Sequence, residues 1–193
     1  MKKIEDLIRI TEFGAAEHVP GSKLLLEIGK KDYLIDIGKD YQQKDEKLPF
    51  KAKNIDSLIL THGHADHMGE LLQLYKEGFK GDIYSTRETV DITKLQLQQE
   101  VASVFIHNNI VKGKKYKYGP NKGKWMPFKK VKYTSKDIKK VMKMFESEDD
   151  RIGIPYETTI KVSDDVRRTA HLGERHPRAN CSNLADIIEL MLR

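Results

Sequence analysis

Ile55-Asp56-Ser57-Leu58-Ile59-Leu60, followed at once by Thr61-His62-Gly63-His64-Ala65-Asp66-His67, joins an apolar run to a dense cluster of imidazole and carboxylate. Three of the chain's seven histidines and one aspartate fall within that one short loop. Neutral imidazole and carboxylate are the usual zinc ligands, and a site with open coordination positions holds and acidifies a water. A short apolar run of this kind forms a buried strand. Ligands launched from the carboxyl end of such a strand sit where open α/β sheets place their sites. The bland alternative, a solvated histidine-rich turn, gives no reason for the strand in front of it.

The spacing assigns ligands in pairs. His62 and His64 are two residues apart, so in an extended segment both side chains leave on one side and converge on one ion. Asp66 and His67 come a turn later, at the start of a helix running through Leu71, Leu72 and Leu74, and are expected to point at a second ion. Two divalent metals roughly 3.5–4 Å apart clamp both oxygens of a displacement at phosphorus or at an acyl carbon. Hydrolysis is the chemistry this pattern suggests.

Around the loop, periodicity predicts strands at Lys23–Ile28, Tyr33–Ile37, Ile55–Leu60 and Ile83–Ser85. It predicts helices at Met68–Lys76, Arg87–Ile106, Ser135–Glu146 and, at the end of the sequence, Ser182–Arg193. Asp40 to Asn54 is polar and reads as a surface loop beside the site, and no internal repeat interrupts the order. With 193 residues and 38% hydrophobic content the chain amounts to one domain with enough apolar matter for a core. Its one cysteine, Cys181, excludes an internal disulfide and a cysteine-based zinc knuckle. Met1 to Asp6 carries charge with no long apolar region behind it, so no signal peptide or membrane span is expected, and a cytoplasmic location follows by default.

The charge is uneven. Net charge is +6, and Lys112 to Lys132 holds nine lysines and no acid, with Tyr116, Tyr118, Trp125 and Phe128 interleaved. Lysines release counterions from a phosphate backbone and rings accept any base face, so the segment suits single-stranded nucleic acid. The competing reading is a solvated hairpin whose aromatics pack down on the core.

Leu34-Ile35-Asp36-Ile37-Gly38, one strand before the His-x-His-x-Asp-His loop, completes a motif pair that resembles the metallo-β-lactamase superfamily. The flanks resemble its β-CASP branch of RNA- and DNA-processing nucleases. They are Phe13-Gly14-Ala15-Ala16-Glu17-His18-Val19-Pro20-Gly21-Ser22 with Leu24-Leu25-Leu26-Glu27, His67-Met68-Gly69-Glu70-Leu71, and Gly78 to Thr89. The resemblance is good from Ile10 to Val104, patchy to Asp165 and poor afterwards. It implies an α/β fold, the metallo-β-lactamase-like αββα sandwich, of which this sequence carries the N-terminal half: family-like over 10–165, with an atypical tail over 166–193.

The resemblance also implies roles. His62 and His64 would bind a first zinc and Asp66 and His67 a second, so the cofactor is one or two zinc ions. Asp66 would be catalytic, orienting the attacking hydroxide. Asp36 would hold the histidine loop in place without being a ligand; read alone, it is equally an ordinary strand-end turn before Gly38. The family's third motif, Ala-Gly-His-x-x-Gly-Ser, has its nearest counterpart in Thr169-Ala170-His171-Leu172-Gly173-Glu174, which makes His171 the candidate further ligand against an exposed loop histidine, with His176 weaker. A helix over Ser182–Arg193 would stand where the family has a strand.

The function implied is zinc-dependent hydrolysis of RNA phosphodiester bonds, with RNA or single-stranded nucleic acid contacted by Lys114, Lys115, Lys117, Lys122 and Lys124. A complementary chain or a second copy would cover the missing half, and the chain alone is expected to be a poor nuclease. Two alternatives use the same residues: a hydrolase of a small thioester or lactone, and a noncatalytic RNA-binding module.

Overall fold

Leucine and isoleucine on both faces of consecutive short runs demand a sheet covered from two sides, and the central sheet has that character. The computed structural model describes residues 8–14, 21–40, 47–148, 151–152, 159–163 and 166–169. Five strands, β1 (Ile8–Gly14), β2 (Lys23–Ile28), β3 (Lys31–Ile35), β4 (Ser57–Ile59) and β5 (Asp82–Tyr84), lie in sheet order β1-β2-β3-β4-β5. The first three are antiparallel, and β3, β4 and β5 run parallel. Register places Leu25, Leu34, Leu58 and Ile83 in one row on one face. Leu24, Ile35 and Ile59 form a row on the other, and both rows are buried.

The first row belongs to the main core, which also contains residues of the helices: Leu71, Leu72 and Leu74 of α2 (Leu71–Lys76), Val90, Leu97 and Val101 of α3 (Arg87–Val111), and Ile138 and Val141 of α4 (Ser135–Met142). A four-residue α1 (Ala65–Met68) precedes α2 in the crossover from β4 to β5. Beyond α4, Phe145 bridges Ile83 in parallel. The β5 edge is thereby extended: Ile83 N donates to Met144 O at 2.8 Å and Glu146 N to Ile83 O at 2.9 Å. Two small antiparallel pairs follow, β6 (Ser147–Glu148) with β7 (Arg151–Ile152), and β8 (Thr159–Ser163) with β9 (Val166–Thr169).

Three departures from the sequence expectations have physical causes, and two more concern the extent of α3 and the presence of β1. The strand expected over Tyr33–Ile37 ends at Ile35, because Asp36 takes φ 59°, which no strand continues. The single helix expected over Met68–Lys76 is two, because Asp66 O accepts from Ser22 N (2.9 Å) and Glu70 N turns to Ile37 O (2.9 Å), which removes the bond that would join them. The helix expected over Ser135–Glu146 stops at Met142, since the next residues join the sheet edge. The helix from Arg87 continues past Ile106 to Val111. β1 was not expected. The predicted helix Ser182–Arg193 and Cys181 lie outside the described residues. Among the described residues, no helix is long and apolar enough to cross a membrane.

Candidate metal centre

The histidine loop is fastened to the end of β3 before its side chains do anything. Ile37 N donates to His67 O (2.7 Å), Lys39 N to Ala65 O (3.0 Å), Ser22 N to Asp66 O (2.9 Å) and Glu70 N to Ile37 O (2.9 Å), so the turn carrying Asp66 and His67 is laced to the segment after Asp36. Gly38 makes this approach possible: a Cβ there would lie 1.6 Å from Asp66 O. On the opposite side α3 presses on the loop, and a Cβ at Gly63 would meet Ile92 Cγ2 at 2.5 Å. Ser85, at the end of β5, donates its hydroxyl to Leu60 O at 3.1 Å, which secures the strand end just before Thr61.

Asp36, 1% exposed, is the hub. Its Oδ1 accepts from Thr61 N at 2.9 Å, the Thr61 hydroxyl lies 3.0 and 2.9 Å from its two oxygens, and His67 Nδ1 lies 2.7 Å from Oδ2. A carboxylate offers only acceptors, so His67 carries its proton on Nδ1. The Thr61 hydroxyl spends its hydrogen on Asp36 and accepts from His62 Nδ1 at 3.1 Å. One carboxylate therefore sets the tautomer of both rings and leaves both Nε2 atoms with free lone pairs, which is what a metal ligand requires. Thr61 had no role in the sequence reading; its place at the strand end, one residue before His62, was the available clue.

The electrostatics of the two rings differ. Burial lowers the pKa of His62, and the neighbouring His67 lowers it further, which keeps His62 neutral and ligand-ready. Burial pushes His67 down as well, but the hydrogen bond and charge of Asp36 and the charge of Asp66 outweigh it, and the net shift is upward. Among the described residues His62, Asp66 and His67 form one group whose ligand atoms all lie within 4.8 Å of one another. His67 Nε2 is 3.7 Å from Asp66 Oδ2.

The three-residue group takes His62 from the expected pair of His62 and His64, and both members of the expected pair of Asp66 and His67. The His62 ring lies between its neighbours, 3.9 Å from His67 and 4.8 Å, edge on, from His64. His64 is exposed, outside the three-residue group, and occupies the N-cap position of α1. His171 and His176 lie outside the described residues. Lys114, Lys115, Lys117, Lys122 and Lys124 lie on an exposed hairpin beyond α3, outside the three-residue group.

Two nitrogens and a carboxylate, with tautomers fixed from behind, fit a divalent transition metal. Three protein ligands are what a catalytic zinc uses. At ~2.0–2.2 Å per bond one ion holds its donors about 3.4 Å apart, so the group fits one ion after a small inward movement, or two ions that share it.

The family model described as the metallo-beta-lactamase superfamily matches residues 18–165. A ribonuclease of Thermus thermophilus is 41% identical over 96 residues, 47% of this chain and 22% of that protein. The transcription termination factor FttA of Methanocaldococcus jannaschii is 31% identical over 170 residues, 85% of this chain and 23% of that factor. The chain thus spans less than a quarter of the length of either relative. Among solved structures, the short form of human tRNase Z is similar with a TM-score of 0.34 and 24% identity, over 49% of this chain and 40% of that one.

Proposed function

We propose, for a chain that belongs to the metallo-beta-lactamase superfamily, that it is a zinc-dependent hydrolase of RNA phosphodiester bonds of the β-CASP type, acting at the His62–Asp66–His67 cluster. The observation that carries the reading is the Asp36 hub, which holds two imidazoles in the ligand tautomer around one carboxylate. RNA as the substrate is supported by relatives named as a ribonuclease and as a transcription termination factor.

His62, Asp66 and His67 would hold the metal, with His64 beside them as a further donor. When bound, it would supply Lewis-acid stabilisation of charge on the phosphoryl oxygens and a water acidified toward neutral pH. The chain's own groups do the rest. Asp66, with its side chain 34% exposed, presents a carboxylate edge to solvent, where it would accept a hydrogen bond from the attacking water and fix the direction of its lone pair. Asp36 and Thr61 prevent either ring from turning its protonated nitrogen into the site.

The test is hydrolysis of a 5′-labelled single-stranded RNA by the purified chain loaded with zinc, beside Asp66→Ala. The expected result is weak cleavage, as befits a poor nuclease, that requires metal and is lost in the variant, in line with loss of a positioned acid–base group. Metal-loaded wild-type protein that leaves RNA intact while hydrolysing a thioester or lactone would overturn the RNA reading. Equal rates in wild type and Asp66→Ala would overturn the site assignment.

A further inference from the structure

The metal centre makes no use of the chain between α3 and α4. That segment is a hairpin: Tyr116 N donates to Lys124 O (3.0 Å), Gly123 N to Tyr116 O (2.9 Å) and Met126 N to Lys114 O (2.9 Å), with Gly119 and Gly123 at positive φ in its turns. It is tied back to α3 by Asn108, whose side chain donates to Lys129 O at 2.9 Å and accepts from Lys129 N at 2.7 Å. A solvated hairpin would bury its rings and leave its lysines in water. Here Tyr118, Trp125 and Phe128 are 85, 65 and 61% exposed, and of the four rings only Tyr116 is partly covered. Lys115 Nζ lies over the Trp125 ring, 4.6 Å from its centre, so a cation stacks on one face of an exposed aromatic.

The surface continues from the hairpin toward the metal loop. A groove of about 470 Å³ is lined by Lys129, Lys130 and Lys132 together with Lys39, Gln73 and Glu100. It shares Lys39, Gly69, Glu100 and Ser103 with a second hollow of about 280 Å³, which reaches Ala65, the residue before Asp66. Glu70 also lines the first hollow, and its charge is met by Lys23 at 3.1 Å.

We infer that the hairpin and this groove form a track for single-stranded RNA, with bases stacked on Tyr118, Trp125 and Phe128, phosphates on the lysines, and the strand led past Lys39 to the metal loop. The inference deepens the proposed function and rests on its reading of RNA as substrate. Nine lysines without an acid supply complementarity to any polyanion. The exposed rings select among polyanions, because a duplex hides its base faces while a single strand offers them.

Trp125 is the only tryptophan, so its emission reports on the hairpin alone. The full chain, in the presence of a chelator to prevent cleavage, is titrated with a short oligouridylate at low salt. Tryptophan emission is expected to be quenched, with log affinity falling against log salt by about 0.7 per phosphate contacted. Replacing Lys114, Lys115 and Lys117 together by alanine should flatten that slope by about 2. Trp125→Ala, followed by anisotropy of a labelled oligonucleotide, should weaken binding at least about fivefold. All of these positions are exposed, so the core is untouched.

No quenching, an unchanged slope in the triple variant, or equal quenching by duplex RNA or polyglutamate would overturn the track. Quenching in a chain that fails to cleave would leave the track standing and sink the catalytic reading; cleavage without quenching would do the reverse.

Discussion

Asp36 occupies backbone that few side chains tolerate, with φ 59°, and aspartate and asparagine are among those that enter it most readily. Its conformation aims one carboxylate at Thr61 and His67 at once. Asp36→Asn keeps the backbone preference but replaces a charged acceptor by a neutral amide. We expect an unchanged circular-dichroism spectrum and zinc affinity about 10–100-fold weaker, measured by competition with a chromophoric chelator; equal affinity would mean that the hydrogen bond to His67 does no orienting. Gly38 is the companion case. A Cβ there would sit 1.6 Å from Asp66 O, so Gly38→Ala must move the loop, and urea unfolding should register a loss of about 1–3 kcal/mol, the usual cost of forced overpacking. The histidines and Asp66 were legible because ligand types announce themselves by composition. Thr61 was not, because a threonine after a strand is ordinary until its two hydrogen-bond partners are seen.

Among the elements, those fixed by one local rule were the ones periodicity placed best. β2 was bounded residue for residue, since leucines on both faces leave little freedom. The α1–α2 break was invisible because it is caused by Ser22, more than forty positions before it, taking the carbonyl of Asp66. The N-terminus of α4 is a different case. Thr134 N and its hydroxyl both donate to Asp137 Oδ2 at 2.8 Å, and Lys76 of α2 lies 2.7 Å from Oδ1. Burial works against the charge of Asp137, but the Lys76 and Thr134 hydrogen bonds and the Lys76 charge prevail, holding its pKa below the ordinary 3.8. A depressed carboxyl stabilises the fold above the unfolded value and loses that contribution as pH falls through the folded one. Wild-type stability should therefore drop below about pH 4 more steeply than that of Asp137→Asn, by thermal unfolding across the acid range. Parallel curves would show that the Lys76–Asp137 contact contributes nothing.

Taken whole, the molecule places a metal-type loop at the carboxyl end of a parallel strand in a sheet whose buried residues occupy both faces. A sheet buried on both faces was readable from the leucine and isoleucine runs, whereas the sandwich class came from the resemblance of the motif pair to its family. β1 was missed because it is an edge strand whose Ile8 and Ile10 stay 41 and 43% exposed, so its alternation carries little burial to reward it. Composition likewise gave the lysines of the hairpin but not the direction its rings face, which depends on where the return strand is pinned by Asn108.

The account stands on Asp36 arming His62 and His67 as ligands around Asp66, and elemental analysis after dialysis addresses that directly. Purified wild-type chain should retain one or two equivalents of zinc, and His62→Ala/His67→Ala, still folded by circular dichroism, should retain none. Wild-type protein without a transition metal, or the same content in the double variant, would contradict it.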